Sequence, residues 1–401
     1  MNEELISTPA MKQYYEIKNE YKDCILFFRM GDFYEMFDDD AHIAHNVLGI
    51  AITTRNKNAS SPTPLAGIPY HAKEKYLPLL IGAGYKVAIA EQVSDPKLKG
   101  IVKREVVRVI TPATLHLEGE EYENNMSTSF SVAIVEENGK YGVSFLDLTN
   151  NYWFCSEFTN FDTMSSEIYK ISPKEVILEK NLFEDTNVRN LFVKKFNLNI
   201  YYFESTKEAK QKLCSHFGVK NLEGFGIEQK FIAQKASSLL LEYLEGNQKS
   251  SIDFLDKIHF ESFSHFLEMD ESTLKNLDII YNFSTKSKTL GTLFGIINET
   301  KTSAGSRFLH HSLVKPLKNK KEIEKRQIFI EEFLKNKILL QQVQERLKYI
   351  SDIDSIMTRL ALGRSNCRDL LHLKKSLQMI NEIFELVEKS GTETLKEILL
   401  K

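Results

Sequence analysis

The spacing of apolar residues changes along this chain, and that change limits the possible folds more than any single motif. From Leu267 onward, Leu, Ile and Phe recur at helical spacing with few breakers, as in IEKRQIFIEEFLKNKILLQQVQERLKYI. Earlier in the chain, short apolar runs alternate with helix-like stretches, which is typical of mixed α/β domains. Because 401 residues exceed what one hydrophobic core comfortably serves, the sequence predicts a multidomain protein with two α/β domains followed by an all-α region.

The limits of these domains follow from the same pattern. Runs such as CILFF and YKVAIAEQV belong to the first α/β segment, and the polar, acidic stretch 116–129 after it is a predicted linker. Strand-like runs then resume, with Asn138-Gly139 as the signal for a tight hairpin. The predicted domains are therefore residues 1–115, 126–245 and 260–401.

Composition excludes several classes of protein. With 42% hydrophobic and 27% charged residues the chain is typical of globular proteins, and no apolar run approaches the roughly 18 residues of a membrane span. The N-terminus, MNEELISTPA, has no basic start and no apolar segment, so nothing indicates export. The cysteines lack the paired spacing of a zinc site or disulfide framework, which favours core thiols in a reducing cytoplasm. They are Cys24, Cys155, Cys214 and Cys367.

Charge is unevenly distributed along the chain. Residues 1–50 hold four Lys/Arg against ten Asp/Glu, whereas 51–110 hold ten against four and 301–350 hold twelve against five. Either basic zone is compatible with a solvated helix face. A polyanionic partner is the alternative interpretation.

The stretch RMGDFYEMF, from Arg29 to Phe37, presents an aromatic ring and a carboxylate behind a Gly-Asp turn. If the residues after the turn are extended, Phe33 and Glu35 share one face while Tyr34 points to the other. One interpretation is a core ring beside a solvated edge carboxylate. The other is a DNA wedge, in which the ring enters from the minor groove and unstacks a base step. Phosphates repel a carboxylate, so the second interpretation requires that Glu35 contact a base.

Nucleotide-binding motifs are absent from the sequence. A phosphate-binding loop needs G-x-x-x-x-G-K-[ST], but the Gly139-Lys140 pair is followed by Tyr141. The pairs Gly82-x-Gly84 and Gly224-x-Gly226 lack the third glycine of a dinucleotide loop. We therefore expect that this chain is not an enzyme and neither binds nor hydrolyses ATP.

Two other groups of residues are candidate sites. His42 and His45 are three apart on a predicted helix, and without another indicated ligand a surface or packing role is favoured over a metal site. Asp147, with Glu167 and Glu175 downstream, is the candidate centre of a metal-dependent nuclease. Scattered carboxylates are common in α/β domains, so the nuclease stays a minor alternative.

Several segments in chain order resemble DNA mismatch-repair proteins of the MutS type. Gly31 to Phe37 resembles that family's mismatch-reading Phe-x-Glu motif, with Phe33 and Glu35 at its two defined positions. One departure is Ala113, where the family usually has Gly in a TPGT stretch. The other resembling segments are AGIPYHA (66–72), AIAEQ (88–92), KREVVRVITPAT (103–114), MDESTLKNLDI (269–279), TSAGSRFLHHSLVKPL (302–317) and GRSNCRDLL (363–371).

The resemblance implies an α/β mismatch-binding domain, an α/β connector of RNase H-like fold and the start of an all-α core and lever region. It also implies that longer family members continue into a DNA clamp and an ATPase domain, where ATP and Mg bind and the main homodimer contacts lie. We therefore expect this chain to be a fragment or a natural truncation.

Together the residues and the resemblance predict recognition of mismatches or small loops in duplex DNA during post-replicative repair. Phe33 would stack on the exposed base and Glu35 would accept a hydrogen bond from it. The resemblance implies a MutL-type matchmaker as partner and, in longer family members, a homodimer with a second copy of the same protein. The expected location is cytoplasmic and nucleoid-associated, with no membrane contact. A connector-based protein-docking scaffold remains open. Backbone-binding candidates, assigned on charge alone, are Arg55, Lys57, Lys103, Arg104 and Arg108.

Overall fold

The structure is a computed structural model of the chain. It describes residues 8–55, 62–94, 102–115, 129–205, 208–248, 252–282, 284–285, 287, 289–389 and 392–399. These residues form two compact units. The first, unit 1, comprises the described residues of 1–119, 174–207 and 238–253. The second, unit 2, comprises those of 120–173, 208–237 and 254–401.

The strands and helices of the described residues have the following bounds. The strands are β1 (Cys24–Met30), β2 (Phe33–Phe37), β3 (Ile52–Arg55), β4 (Thr63–Pro69), β5 (Lys86–Gln92), β6 (Arg104–Ile110), β7 (Phe130–Glu137), β8 (Lys140–Asp147), β9 (Tyr152–Phe158), β10 (Glu175–Leu178), β11 (Asn199–Tyr202) and β12 (His259–Phe260). The α-helices are α1 (Pro9–Glu20), α2 (Asp38–Leu48), α3 (Lys73–Gly82), α4 (Phe161–Ile171), α5 (Lys180–Glu184), α6 (Thr186–Arg189), α7 (Ala209–Phe217), α8 (Phe231–Asn247), α9 (Glu271–Asn276), α10 (Leu293–Ile297), α11 (Ser303–Val314), α12 (Lys320–Lys335), α13 (Lys337–Leu347), α14 (Ile353–Ala361), α15 (Cys367–Lys389) and α16 (Glu393–Leu399).

Unit 1 is built on a sheet with strand order β3-β4-β2-β1-β5-β6. The β1–β5 pair is parallel, and the other neighbours are antiparallel. The register of β5 and β6 shifts between Ile89 and Ala90, where a bulge interrupts the ladder. An extra residue at such a bulge reverses the facing of side chains beyond it.

Each face of this sheet buries its own apolar cluster. One face, called here the α1 face, packs Leu26, Phe28 and Phe37 against Met11 and Tyr14 of α1. On the opposite face a second cluster combines sheet residues with apolar residues of α2 and α3. The central strands are therefore covered on both sides, which accounts for the continuous apolar run CILFF in β1.

Helix α1 is fixed to the sheet through the buried carboxylate of Asp40. Lys18 Nζ lies 2.8 Å from Asp40 Oδ1, and the backbone N–H of Leu26 donates to Oδ2 at 2.9 Å. The Tyr14 hydroxyl donates to the same oxygen at 3.4 Å. Because a buried carboxylate needs hydrogen bonds and a countercharge, this cluster specifies where α1 sits on the sheet.

Unit 2 contains the antiparallel meander β7-β8-β9, with the short β12 parallel to β9. The β7–β8 turn confirms the hairpin prediction, since Asn138 and Gly139 both adopt positive φ, at 53° and 75°. Two positive φ values are what a two-residue type I′ turn requires.

From Glu271 to Leu399 the described residues of unit 2 form helices connected by turns and isolated bridges. Their cores are small, one around Met269, Leu274 and Val314 and another around Leu339 and Val387. The prediction of mixed α/β segments followed by a helical region is therefore confirmed.

Some local predictions need correction. Glycine and proline in the stretch Gly67 to His71 predict a turn, but Gly67 to Pro69 end strand β4, and only the following residues, Tyr70–Ala72, form a 3₁₀ turn. Cys367 is exposed rather than a core thiol. Ala113 is fully buried without positive φ, so Ala suits this turn. Most of the predicted linker, 116–128, lies outside the described residues. In the described part of the chain, no helix has both the length and the apolarity to cross a bilayer.

Candidate nucleic-acid interface

The β1–β2 hairpin projects a short tip from the sheet of unit 1. Its two-residue loop, Gly31-Asp32, requires a positive φ of 59° at Gly31, which glycine adopts without steric cost. The Arg29 side chain donates to the Gly31 carbonyl, and the backbone N–H of Tyr70 donates to the Asp32 carbonyl at 2.9 Å. These bonds hold the tip, and Phe33 is the first strand residue after it.

Strand register places Phe33 and Glu35 together on the α1 face. Phe33 lies opposite Met30 of β1 and Pro69 of β4, and Glu35 lies opposite Phe28 and Gly67. The shared face agrees with the two-residue spacing in the sequence.

Exposure separates Phe33 from the other aromatic residues of its strand. Phe33 is 47% exposed, whereas Tyr34 and Phe37 are each 1% exposed. Phe33 is therefore not a core residue, and an apolar ring is presented to solvent at the hairpin tip.

Glu35 is half-buried beside this ring and is paired with Arg55. Its Oε2 lies 3.4 Å from Nη1 of Arg55, a residue on β3, two strands away. Burial raises the pKa of the Glu35 carboxyl, against the opposing effects of Arg55 and Arg104. The carboxylate is thus less stable than in water. Partly exposed ion pairs contribute only about 0 to 1 kcal/mol, so this pair opens easily.

Arg104 is held by the protein itself. Its Nε donates to the Arg29 carbonyl at 2.6 Å, and Nη1 donates to the Val102 carbonyl at 2.9 Å. The guanidinium lies 5.0 Å above the ring centre of Phe28, the residue directly opposite Glu35. Arg104 therefore acts on Glu35 as a fixed positive charge, held in place by these two hydrogen bonds.

Of the remaining basic candidates, the structure describes Arg108 and Lys103. Arg108 pairs with Ile89 beyond the bulge, which turns it to the face opposite Phe33. Lys103 directly precedes β6, is mainly exposed and forms an ion pair with Glu105. Lys57 lies outside the described residues.

Two residues at the tip were missed by the sequence reasoning. The Arg29 guanidinium lies 3.6 Å from the ring centre of Tyr70, which is 41% exposed. Beneath them the Tyr34 hydroxyl donates to Glu91. A signal was available, since Arg29 directly follows the apolar run CILFF and lies two residues before Gly31 of the Gly-Asp turn. Its contact with Tyr70 depends on the pairing of β2 with β4, which local sequence does not give.

The carboxylates of the nuclease alternative have local roles. Asp147 is 1% exposed and accepts from Asn150 Nδ2 at 2.6 Å and from the backbone N–H of Thr149 at 3.1 Å. Burial raises the pKa of Asp147. Glu167 pairs with Lys170, and Glu175 accepts from Thr111 at 3.3 Å. Among the described residues, no three His, Cys, Asp or Glu side chains converge in a ligand-like group.

Comparison with family models gives three matches in chain order. MutS domain I matches residues 8–118, MutS domain II matches residues 129–258, and MutS domain III matches residues 272–400. The candidate interface therefore falls within the part of the chain similar to MutS domain I.

Curated relatives match across almost the whole chain. The DNA mismatch repair protein MutS of Halothermothrix orenii is 37% identical over 398 residues, covering 98% of this chain and 44% of that protein. That of Methanosarcina acetivorans is 37% identical over 415 residues, covering 98% and 45%. That of Methanosarcina mazei is 38% identical over 412 residues, with the same coverage. The chain thus spans less than half the length of these relatives.

Proposed function

The chain belongs to the MutS family of DNA mismatch-repair proteins, and on that premise we propose that it recognises mispaired or unpaired bases in duplex DNA during post-replicative repair. The observation that carries this proposal is the exposed Phe33 ring beside the half-buried Glu35 carboxylate at the tip of one hairpin. The ring acts as a wedge at the minor groove and kinks the duplex.

Discrimination in this mechanism comes from the cost of deforming the DNA. A mismatched base has already lost some pairing and stacking, so displacing it takes less of the few kcal/mol that unstacking requires. On paired DNA the full cost remains. Phe33 stacks on the displaced base only where that base is already weakly held.

Glu35 adds to this selectivity by its charge. The minor groove has negative potential and repels a carboxylate. A displaced base offsets this repulsion by donating a hydrogen bond to Glu35, whereas a stacked base does not. The ion pair with Arg55 opens as Glu35 turns to the base, which frees Arg55 for a phosphate. Arg104 stays on its backbone carbonyls and keeps a positive charge near Glu35.

The other parts of the chain receive roles by family membership. We assign residues 1–115 to mismatch binding, 126–245 to a connector and 260–401 to a helical core and lever region. Homodimer formation, contact with a MutL-type matchmaker and ATP use with Mg are proposed for the longer protein of this family. Lys57, Lys103 and Arg108 remain phosphate-binding candidates on charge alone.

The test is a titration of the 401-residue chain with three duplexes that differ at one position: fully paired, single-mismatch and single unpaired base. At one fixed salt concentration the two defective duplexes should bind more tightly than the paired one, because the phosphate contribution is common to all three. Equal affinity for all three would overturn the proposal and favour the connector-based docking scaffold. Cleavage of the duplex that depends on a divalent metal and is lost in Asp147→Ala would favour the nuclease.

A further inference from the structure

Gly67 occupies an unusual place for a glycine, the interior of strand β4 between β3 and β2. It lies directly opposite Glu35. A Cβ atom built on Gly67 would lie 3.9 Å from Glu35 Cγ and 3.9 Å from Phe33 Cδ1. The missing side chain is therefore on the α1 face, next to both groups of the candidate interface.

Backbone conformation does not require glycine at this position. Gly67 has no left-handed φ, unlike Gly31 in the adjacent turn. Glycine within a strand is less stable than alanine, because it loses more conformational freedom on folding. On backbone grounds alone, alanine is the better residue here.

Internal packing does not require glycine either. The nearest atom to the built Cβ is the Tyr34 carbonyl oxygen, at 3.4 Å, and the next contacts are the two at 3.9 Å. These are ordinary van der Waals distances, so the folded chain accommodates a methyl group. A strand glycine often marks a bulge, a tight bend, or a place where a ligand or another backbone approaches closely. The register of β4 with β2 is unbroken through Gly67, which favours the last of these.

Building on the proposed function, we propose that Gly67 is a specificity-determining residue whose missing side chain leaves the space in which a displaced base contacts Phe33 and Glu35 together. A methyl group on residue 67 would lie 3.9 Å from a side-chain carbon of Phe33 and from one of Glu35. It would occupy the space that a base must enter to contact both side chains at once. The base would then lose either the stacking or the hydrogen bond. Paired duplex, whose bases stay stacked, does not enter this space.

The experiment compares Gly67→Ala with the parent chain in thermal unfolding and in titration with paired and single-mismatch duplexes. We expect Tm to be unchanged or raised by about 1 to 3 °C, because alanine restricts the unfolded chain. Affinity for the mismatch should fall about tenfold, as expected when one contact of about 1.4 kcal/mol is lost. Affinity for paired duplex should stay within about twofold.

Gly82→Ala is the matched control. Gly82 ends helix α3 in the same unit, has no left-handed φ, and has nothing within 4 Å of a built Cβ. Its substitution should leave both affinities unchanged. Gly67→Ser, with a side chain one oxygen larger than alanine, should repeat the loss of mismatch affinity.

Phe33→Ala in the same titration separates failure of this inference from failure of the proposed function. If Phe33→Ala loses the mismatch preference and Gly67→Ala keeps it, the role of Gly67 is refuted and the proposed function stands. If Gly67→Ala and Gly67→Ser both lower Tm by several degrees, the glycine is structural and the inference is overturned. If the parent shows no preference, the proposed function fails and this inference fails with it.

Discussion

Replacing Phe33 by alanine removes the exposed ring but no charge. We expect the preference for mismatched DNA to collapse while weak, salt-sensitive duplex binding survives, because contacts with phosphates do not depend on sequence. The stacking of a base on an aromatic ring contributes about 1 to 3 kcal/mol. Since 1.4 kcal/mol is a factor of ten, mismatch affinity should fall by about five- to 150-fold.

The cost to folding should be modest, and its size follows from exposure. Full burial of a Phe side chain stabilises a protein by about 1.5 to 3 kcal/mol. Phe33 is 47% exposed, so truncation removes about half of that, or roughly 1 kcal/mol. A core ring such as Phe37, 1% exposed, should instead cost about 3 to 5 kcal/mol. Phe33→Ala therefore yields a folded chain in which binding is measurable.

Fluorescence anisotropy with labelled paired and single-mismatch duplexes provides the assay, with thermal unfolding of each variant alongside. Phe231→Ala is the matched control, because that ring is 59% exposed and lies outside the candidate interface. It should leave both affinities unchanged. Full discrimination by folded Phe33→Ala would refute the reasoning, since the ring would then be structural. An equal loss in Phe231→Ala would attribute the effect to general surface apolarity.

Four further predictions concern charge and burial. Glu35→Gln should bind paired duplex more tightly than the parent and lose mismatch preference, because the amide is not repelled by the minor groove; equal weakening of both duplexes in titration would contradict this. Because burial raises the pKa of Glu35, the parent's affinity for paired duplex should rise as pH falls toward that raised pKa, and the same pH series on Glu35→Gln should lack that rise. Lys315 and Glu261 form a buried ion pair in unit 2, so Lys315→Met should lower the free energy of unfolding by about 3 to 5 kcal/mol, measured with denaturant. The double variant Lys315→Met with Glu261→Leu should regain most of that stability. No regain would argue against the importance of the pair. Burial lowers the pKa of His311, so its contribution to stability is present above the ordinary value of about 6.5 and is lost as pH falls through the lowered pKa. His311→Gln should weaken the pH dependence of the unfolding midpoint below about pH 6.5.

Sequence alone determined the features that depend on local geometry. Asn138-Gly139 forms the predicted hairpin because these residues adopt positive φ at low cost. The helical region follows from the 3.6-residue spacing of its apolar residues. Phe33 and Glu35 share a face because side chains alternate along any extended strand.

Charge patterns in the sequence did not determine which basic residues meet at the candidate interface. Uninterrupted alternation along β6 would put Arg104 and Arg108 on one face. The bulge between Ile89 and Ala90 turns Arg108 to the other. One extra residue in a strand moves the side chains beyond it to the opposite face of the sheet. Residue type indicates neither the presence nor the position of that extra residue.

Tertiary structure also decided which side chains are free to act. Arg55 reaches Glu35 from two strands away because β3 and β2 both pair with β4, a strand order that sequence separation does not reveal. Arg104 is held by the Arg29 and Val102 carbonyls, since a half-buried guanidinium needs hydrogen-bond acceptors. The spacing of apolar residues and the conformational preferences of turn residues are local properties of the chain. Exposure and the choice of partner arise only when distant segments pack, so the sequence predicted the ring and the carboxylate but not their surroundings.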